Sequence, residues 1–161
     1  MHSLFIYSFY LLLDESNVEG LAYDSGNKMI YWTSYSNSSI KRLNVDTRNR
    51  VYIDAVKNNY QIKPEIVVQL DSRDHPRAIF IDSCNEFVYW TNWNDQSPSI
   101  QRAFLNGSSI KSVITKDIRT PNGLTIDHST QSLYYADAKA DRVYKCQLTS
   151  FDCQVCDSTT S

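Results

Sequence analysis

Residues 78–92 read AIFIDSCNEFVYWTN, and this stretch decides the fold. Two runs of β-branched and aromatic residues, Ala78 to Asp82 and Val88 to Asn92, flank a short polar connection. That composition favours a strand, a tight turn and a second strand. The same 15-residue frame occurs as GLAYDSGNKMIYWTS at 20–34 and as GLTIDHSTQSLYYAD at 123–137. The interval from Asp24 to Tyr31, from Asp82 to Tyr89 and from Asp127 to Tyr134 is seven residues each time. Chance rarely holds one spacing three times, so the chain is an internal repeat, and the repeat dictates the architecture.

A third strand follows each frame: Ile40-Lys41-Arg42-Leu43, Ile100-Gln101-Arg102-Ala103 and Val143-Tyr144-Lys145-Cys146. In the second repeat Asn106-Gly107 turns the chain into a fourth strand, Ile110 to Ile114. In the first, the fourth strand is Ile66 to Leu70, after a polar insertion at 46–64. The unit is therefore a four-stranded antiparallel sheet. Tyr89 and Tyr134 lie 45 residues apart, matching the roughly 40–45 of a propeller blade. A blade has two apolar faces and buries them only against neighbours set around a central axis, with the Tyr-Trp pair supplying large buried area.

The expected fold class is all-β: an incomplete β-propeller of about three four-stranded antiparallel blades. Residues 1–17 form an N-terminal apolar segment, an outer strand or a signal-like core. Residues 18–70 form a blade with its insertion, 71–120 a second, 121–150 a partial third, and 151–161 a Cys-containing tail.

The rest of the composition excludes several functions. Lys and Arg total 16 against 18 Asp and Glu, with no long like-charge run, so nucleic acid is not an expected partner. The chain has only 4 glycines and no phosphate-cradling Gly-rich motif. The apolar run HSLFIYSFYLLL at 2–13 falls short of the roughly 20 residues that span a bilayer, so no direct membrane insertion is expected of it. Cys84, Cys146, Cys153 and Cys156 allow three disulfide pairings, and sequons begin at Asn37 and Asn106. Together they favour an oxidising, extracellular setting with glycans at both asparagines. Cys153-x-x-Cys156 is a weak candidate for a redox motif or half a zinc site, lacking a second Cys-x-x-Cys or a His pair, and a stray or local disulfide is the favoured expectation.

The Tyr-Trp-Thr segments resemble the YWTD (class B) repeats of the low-density lipoprotein receptor family. The resemblance runs from residue 18 to about 148. It includes Val18-Glu19-Gly20-Leu21-Ala22-Tyr23, Asp74-His75-Pro76-Arg77-Ala78, Trp90-Thr91-Asn92-Trp93-Asn94 and the run Lys116 to Leu124. It implies a non-enzymatic propeller segment of an endocytic cell-surface receptor, working in protein–protein interaction and in ligand uptake and release. Protein ligands and adjacent EGF-like modules of a parent receptor are the implied partners. The implied location is the extracellular side of the plasma membrane and endosomes, within a single-pass receptor, or secreted if the product is truncated. The repeat residues Tyr31, Trp32, Thr33, Tyr89, Trp90, Thr91, Tyr134, Tyr135 and Asp137 become structural, as do Asp24, Asp82 and Asp127, because a residue repeated once per blade is seldom catalytic. The resemblance retains Cys84 and Cys146 and implies a disulfide between them. The family ring has six blades, about 250 residues, so three blades are expected to associate unless others are supplied.

Glu19, Tyr35, Arg77, Asn92, Trp93, Asn94 and Asn122 are expected on one rim as an interaction surface, because exposed Trp, Tyr and Arg anchor interfaces. The structural alternative has Trp93 packing under its own loop and Arg77 pairing with a carboxylate. His75 and His128 form no matched pH sensor. No nucleophile, base and orienter fall together, so no catalytic residue, cofactor or metal is assigned. The alternatives are a nidogen-like matrix propeller, a truncated product without autonomous function, and a lactonase-like hydrolase. The last needs a metal where Glu19, Asn122 and the cationic Arg77 stand.

Overall fold

A computed structural model describes residues 17–46, 54, 57–58 and 63–156. The expected N-terminal apolar segment lies outside these residues except for Asn17, as do most of the 46–64 insertion and the last five residues.

Twelve strands form three four-stranded antiparallel sheets. The first holds β1 (Val18–Asp24), β2 (Met29–Ser34), β3 (Ser39–Asn44) and β4 (Glu65–Gln69) in that order. The second holds β5 (His75–Asp82), β6 (Phe87–Trp93), β7 (Ser99–Phe104) and β8 (Lys111–Ile114). The third holds β9 (Pro121–Asp127), β10 (Ser132–Asp137), β11 (Arg142–Gln147) and β12 (Cys153–Val155). Each sheet is one repeat, a blade, with β1, β5 and β9 in neighbouring contact.

The third blade corrects two expectations. It was expected to be partial, with 151–161 as a separate tail. Instead Cys153–Val155 supply its fourth strand. The turn after β11 lets Phe151 donate to the Gln147 carbonyl at 2.8 Å and Gln147 to the Asp152 carbonyl at 3.1 Å, which folds the chain back onto β11. The expected Cys84–Cys146 disulfide is replaced by Cys146–Cys153. The register explains it: Cys146 on β11 and Cys153 on β12 are direct cross-strand partners. Cys84 is an exposed free cysteine in the turn between β5 and β6, and Cys156 is also free and exposed.

Side-chain alternation divides each blade into two faces. Tyr31, Ile40 and Val68 of the first blade pack against Ile79, Val88, Trp90 and Ala103 of the second. Tyr89, Ile100 and Ile114 of the second pack against Ile126, Leu133, Tyr135, Tyr144 and Cys146 of the third. The Tyr of each pair thus faces onward to the next blade and the Trp faces back. Tyr135 takes the backward position and stacks on Tyr144 at 4.9 Å. Trp32 faces away from the second blade and clusters with Leu43, Ile30 and Val45.

Trp90 donates its indole N–H to Gln101 at 2.9 Å, whereas the buried Trp32 Nε1 has no acceptor among the described residues. Lys41 occupies the position of Gln101 beside Trp32, directly opposite it in the register. An ammonium donates and cannot accept, so the sequence change leaves the indole unmatched. Gly20 is needed where the inner strands converge: a Cβ there would lie 2.2 Å from the Arg77 carbonyl oxygen.

Candidate functional site

One rim gathers the starts of β1, β5 and β9 with the ends of β2, β6 and β10, because antiparallel pairing sets Val18 opposite Ser34, His75 opposite Trp93 and Pro121 opposite Asp137. Across this rim runs a continuous chain of contacts. Arg77 Nη2 donates to Glu19 Oε2 at 2.7 Å, joining the first two blades. The same guanidinium lies 3.8 Å from the Trp93 ring centroid. Trp93 Nε1 donates to the Pro121 carbonyl at 2.7 Å, reaching the third blade. A charge pair, a cation–π contact and an indole hydrogen bond thus tie all three blades at one end.

The other expected rim residues take supporting positions. Asn92 and Asn94 both donate to Asp74 Oδ1, at 2.6 and 2.9 Å, and hold the loop before β5. Tyr35 stacks on His75 with centroids 4.3 Å apart. Asn122 is exposed, and its carbonyl accepts from Thr91. The structure brings all seven to one end, but it corrects the expectation for Asn92, which is fully buried with its amide bonded inward to Asp74 and presents no surface to a partner. Glu19, Arg77 and Trp93 are internally engaged as well as partly solvent-facing. The expected glycosylation positions, Asn37 and Asn106, lie exposed in turns. Asn106 Oδ1 accepts from Ser108 N at 3.0 Å and from Ser108 Oγ at 2.7 Å, local bonds that hold the turn.

Beneath the rim, the threonine of each Tyr-Trp-Thr acts as a latch. Thr33 Oγ1 accepts from Gly20 N at 2.8 Å and donates to the Arg77 carbonyl of the next blade at 2.6 Å. Thr91 Oγ1 accepts from Ala78 N at 2.9 Å and donates to the Asn122 carbonyl at 3.4 Å. The inner strands carry a register irregularity beside each latch, between Val18 and Leu21 and between Pro76 and Ile79. The irregularity frees the backbone N–H that the threonine then satisfies. In the third blade Ala136 stands in the threonine position. Asp137 there accepts from the N–H groups of Arg119, Thr120, Lys139 and Ala140 instead.

At the opposite end, the repeated aspartates cap the turns after β1, β5 and β9. Asp24 accepts from Gly26 N, Asn27 N and Asn27 Nδ2, and from Ser83 Oγ of the next blade at 3.1 Å. Burial raises its pKa, but these bonds outweigh burial and hold the carboxyl below its ordinary value. Asp82 accepts from Asn85 N and Nδ2, and His128 Nε2 of the next blade stands 3.6 Å from its Oδ1. The sequence assigned no metal ligand, yet Asp82, Cys84 and His128 place one donor atom each within 4.8 Å of one another. The signal that would have found this group was the alignment of the turn residues after each repeated aspartate.

Two cavities mark the seams. One of about 840 Å³ lies between the second and third blades, bordered by Lys116, Arg119, Tyr135, Lys139, Arg142 and Phe151 among others. The smaller, about 540 Å³, lies between the first and second, where Arg42 spans from Tyr31 to the Leu105 carbonyl. Neither collects a nucleophile with a base and an orienting partner, the grouping that covalent catalysis needs.

Repeated four-stranded blades, latched by threonine on one rim and capped by aspartate on the other, define a YWTD-type propeller fold. Residues 86–128 match the low-density lipoprotein receptor repeat class B. It is 31% identical over 124 residues to Protein cueball of Drosophila grimshawi, and 29% identical over 124 residues to that of Drosophila virilis. The matched regions cover 76% of this chain but only 19% and 18% of those relatives, so the chain spans about a fifth of their length. Among solved structures, a chain of a nidogen/laminin complex superposes with a TM-score of 0.69 at 21% identity, over 86% of this chain and 47% of that one. A TolB-like protein of Agrobacterium tumefaciens superposes with a TM-score of 0.63 at 9% identity, over 89% of this chain and 50% of that one. These two likenesses establish the all-β propeller fold.

Proposed function

We propose that this chain is a non-enzymatic, extracellular protein-interaction segment, and that the rim around Arg77 and Trp93 is its binding face. The observation that supports this reading most is the three-blade tie of Glu19, Arg77, Trp93 and Pro121. It holds an aromatic ring and a guanidinium in fixed, partly exposed positions, which lowers the entropy lost when a partner docks. Tyr35, Asn94 and Asn122 extend the same surface. The parent would be an endocytic cell-surface receptor of the low-density lipoprotein receptor-related protein 1 type, with adjacent EGF-like modules, taking ligands from the plasma membrane to endosomes. Extracellular glycans at Asn37 and Asn106 fit that setting.

A matrix-binding reading is the alternative, motivated by the fold shared with the nidogen chain of a laminin complex. Surface plasmon resonance of the purified chain against laminin and against low-density lipoprotein separates the two. The receptor reading expects binding to lipoprotein that Asn122→Arg weakens at least tenfold while the melting temperature holds. Binding to laminin alone would move the assignment to the matrix class. Unaltered binding by Asn122→Arg would take the rim out of the interface.

A further inference from the structure

The two blade seams are built on one plan, and among their differences two fall together at the turn end. In the first, the turn end of the seam holds Asp24, Gly26 and Ser83, and both partners bond the Asp24 carboxylate. Aligning Asp24, Asp82 and Asp127 shows what the second seam has in those places. Two residues beyond the aspartate, Gly26 is replaced by Cys84; one residue beyond the following aspartate, Ser83 is replaced by His128. Two residues without metal-ligating power thus become a thiol and an imidazole together, and both face the same carboxylate.

The geometry agrees with the substitution. The donor atoms of Asp82, Cys84 and His128 all lie within 4.8 Å of one another. His128 Nε2 is 3.6 Å from Asp82 Oδ1, which is beyond a good hydrogen bond. It is the separation of two ligands on one tetrahedral ion with bonds of about 2.0–2.3 Å, which places donors roughly 3.3–3.8 Å apart. Asp82 is buried and fixed by Asn85 through both carboxylate oxygens, the outer support that orients a metal ligand. Cys84 is a free thiol on the solvent side, so an ion has a path in.

We propose that Asp82, Cys84 and His128 form a zinc site that staples the second blade to the third. Thiolate, imidazole and carboxylate together suit Zn²⁺; Ca²⁺ and Mg²⁺ prefer all-oxygen sets. Water completes the fourth position, and the Cys84 thiol proton passes to solvent when the ion binds. The staple lies at the opposite end from the Arg77 rim and does not depend on the binding role given to that rim.

The test uses Co²⁺ as a spectroscopic probe and Zn²⁺ as its competitor on the purified chain. One equivalent of Co²⁺ is expected to give a thiolate charge-transfer band, which one equivalent of Zn²⁺ abolishes. Cys84→Ser is expected to remove the band, and Cys156→Ser to leave it. His128→Gln is expected to weaken binding at least about tenfold. The double variant Cys84→Gly with His128→Ser installs the first seam's residues in the second. It is expected to match the metal-free wild type in melting temperature while losing the upward shift that Zn²⁺ produces. A missing band, or one that follows Cys156 instead of Cys84, overturns the proposal. So does alkylation with mass analysis that finds Cys84 already bonded in the native protein.

Discussion

At the scale of single residues, the blades are joined by side chains that spend each polar atom twice. The Thr33 hydroxyl is buried, takes one N–H from its own blade and gives its proton to a carbonyl of the next. Thr33→Val keeps the shape and removes both bonds, stranding Gly20 N–H and the Arg77 carbonyl at a seam. Leaving buried backbone groups unmatched costs about 1–3 kcal/mol. Thr91→Val is expected to cost less, because its bond across the seam is 3.4 Å long where that of Thr33 is 2.6 Å. Urea denaturation of the two variants checks the order, and equal losses would show that the cross-seam bond contributes nothing. The threonine latch was legible in the sequence only as a recurring letter. Nothing in the spacing tells that its acceptor lies 44 residues away in another blade.

At the scale of elements, the tight connections between first and second strands rest on carboxylates. Asp127 receives Ser129 Oγ at 2.7 Å, Thr130 Oγ1 at 2.7 Å and Ser129 N at 2.9 Å. These bonds, the Ser129 hydroxyl first, bring its pKa down from 3.8 to about 2. A carboxyl depressed in the folded state contributes stability that is full above its unfolded value and is lost as the pH falls through its folded one. The contribution of this turn is therefore present above about pH 4 and disappears between about pH 4 and pH 2. Asp127→Asn is expected to flatten the stability profile within that window and to leave its shape above pH 5 unchanged; a profile as steep as wild type would remove Asp127 from the acid response. The strands flanking these turns were readable from alternation and from the seven-residue interval, and so were their pairings. β12 was not, because Cys153–Val155 is a three-residue strand without a run of apolar residues. The Cys146–Cys153 bond goes with it: only the register of β11 with β12 sets those two residues opposite each other.

At the scale of the whole molecule, the repeat forecasts how blades stack but leaves the outermost faces to the structure. The first blade turns Leu21 and Tyr23 outward at 64% and 53% exposure, on the same face as Trp32 and Ile30. Ala22, between them, faces the second blade instead. Val143 is similarly open on the third blade. Inner blades bury the equivalent positions: Ile79 of β5 aligns with Leu21 and lies in the first seam. The same repeat position is thus core in one blade and surface in another, and no reading of a single repeat distinguishes the two. Apolar residues exposed on a flat sheet face favour association. Leu21→Ser with Tyr23→Ser is expected to lower concentration-dependent association in sedimentation velocity while the melting temperature stays close to wild type, because little packing is removed. Ile79→Ser is the comparison: it places a hydroxyl in the seam between two blades and is expected to cost several kcal/mol, about 2–5 from lost packing alone. If instead the surface pair destabilises the fold as Ile79→Ser does, those two side chains are buried against another part of the protein in solution, and the first blade has a covered face.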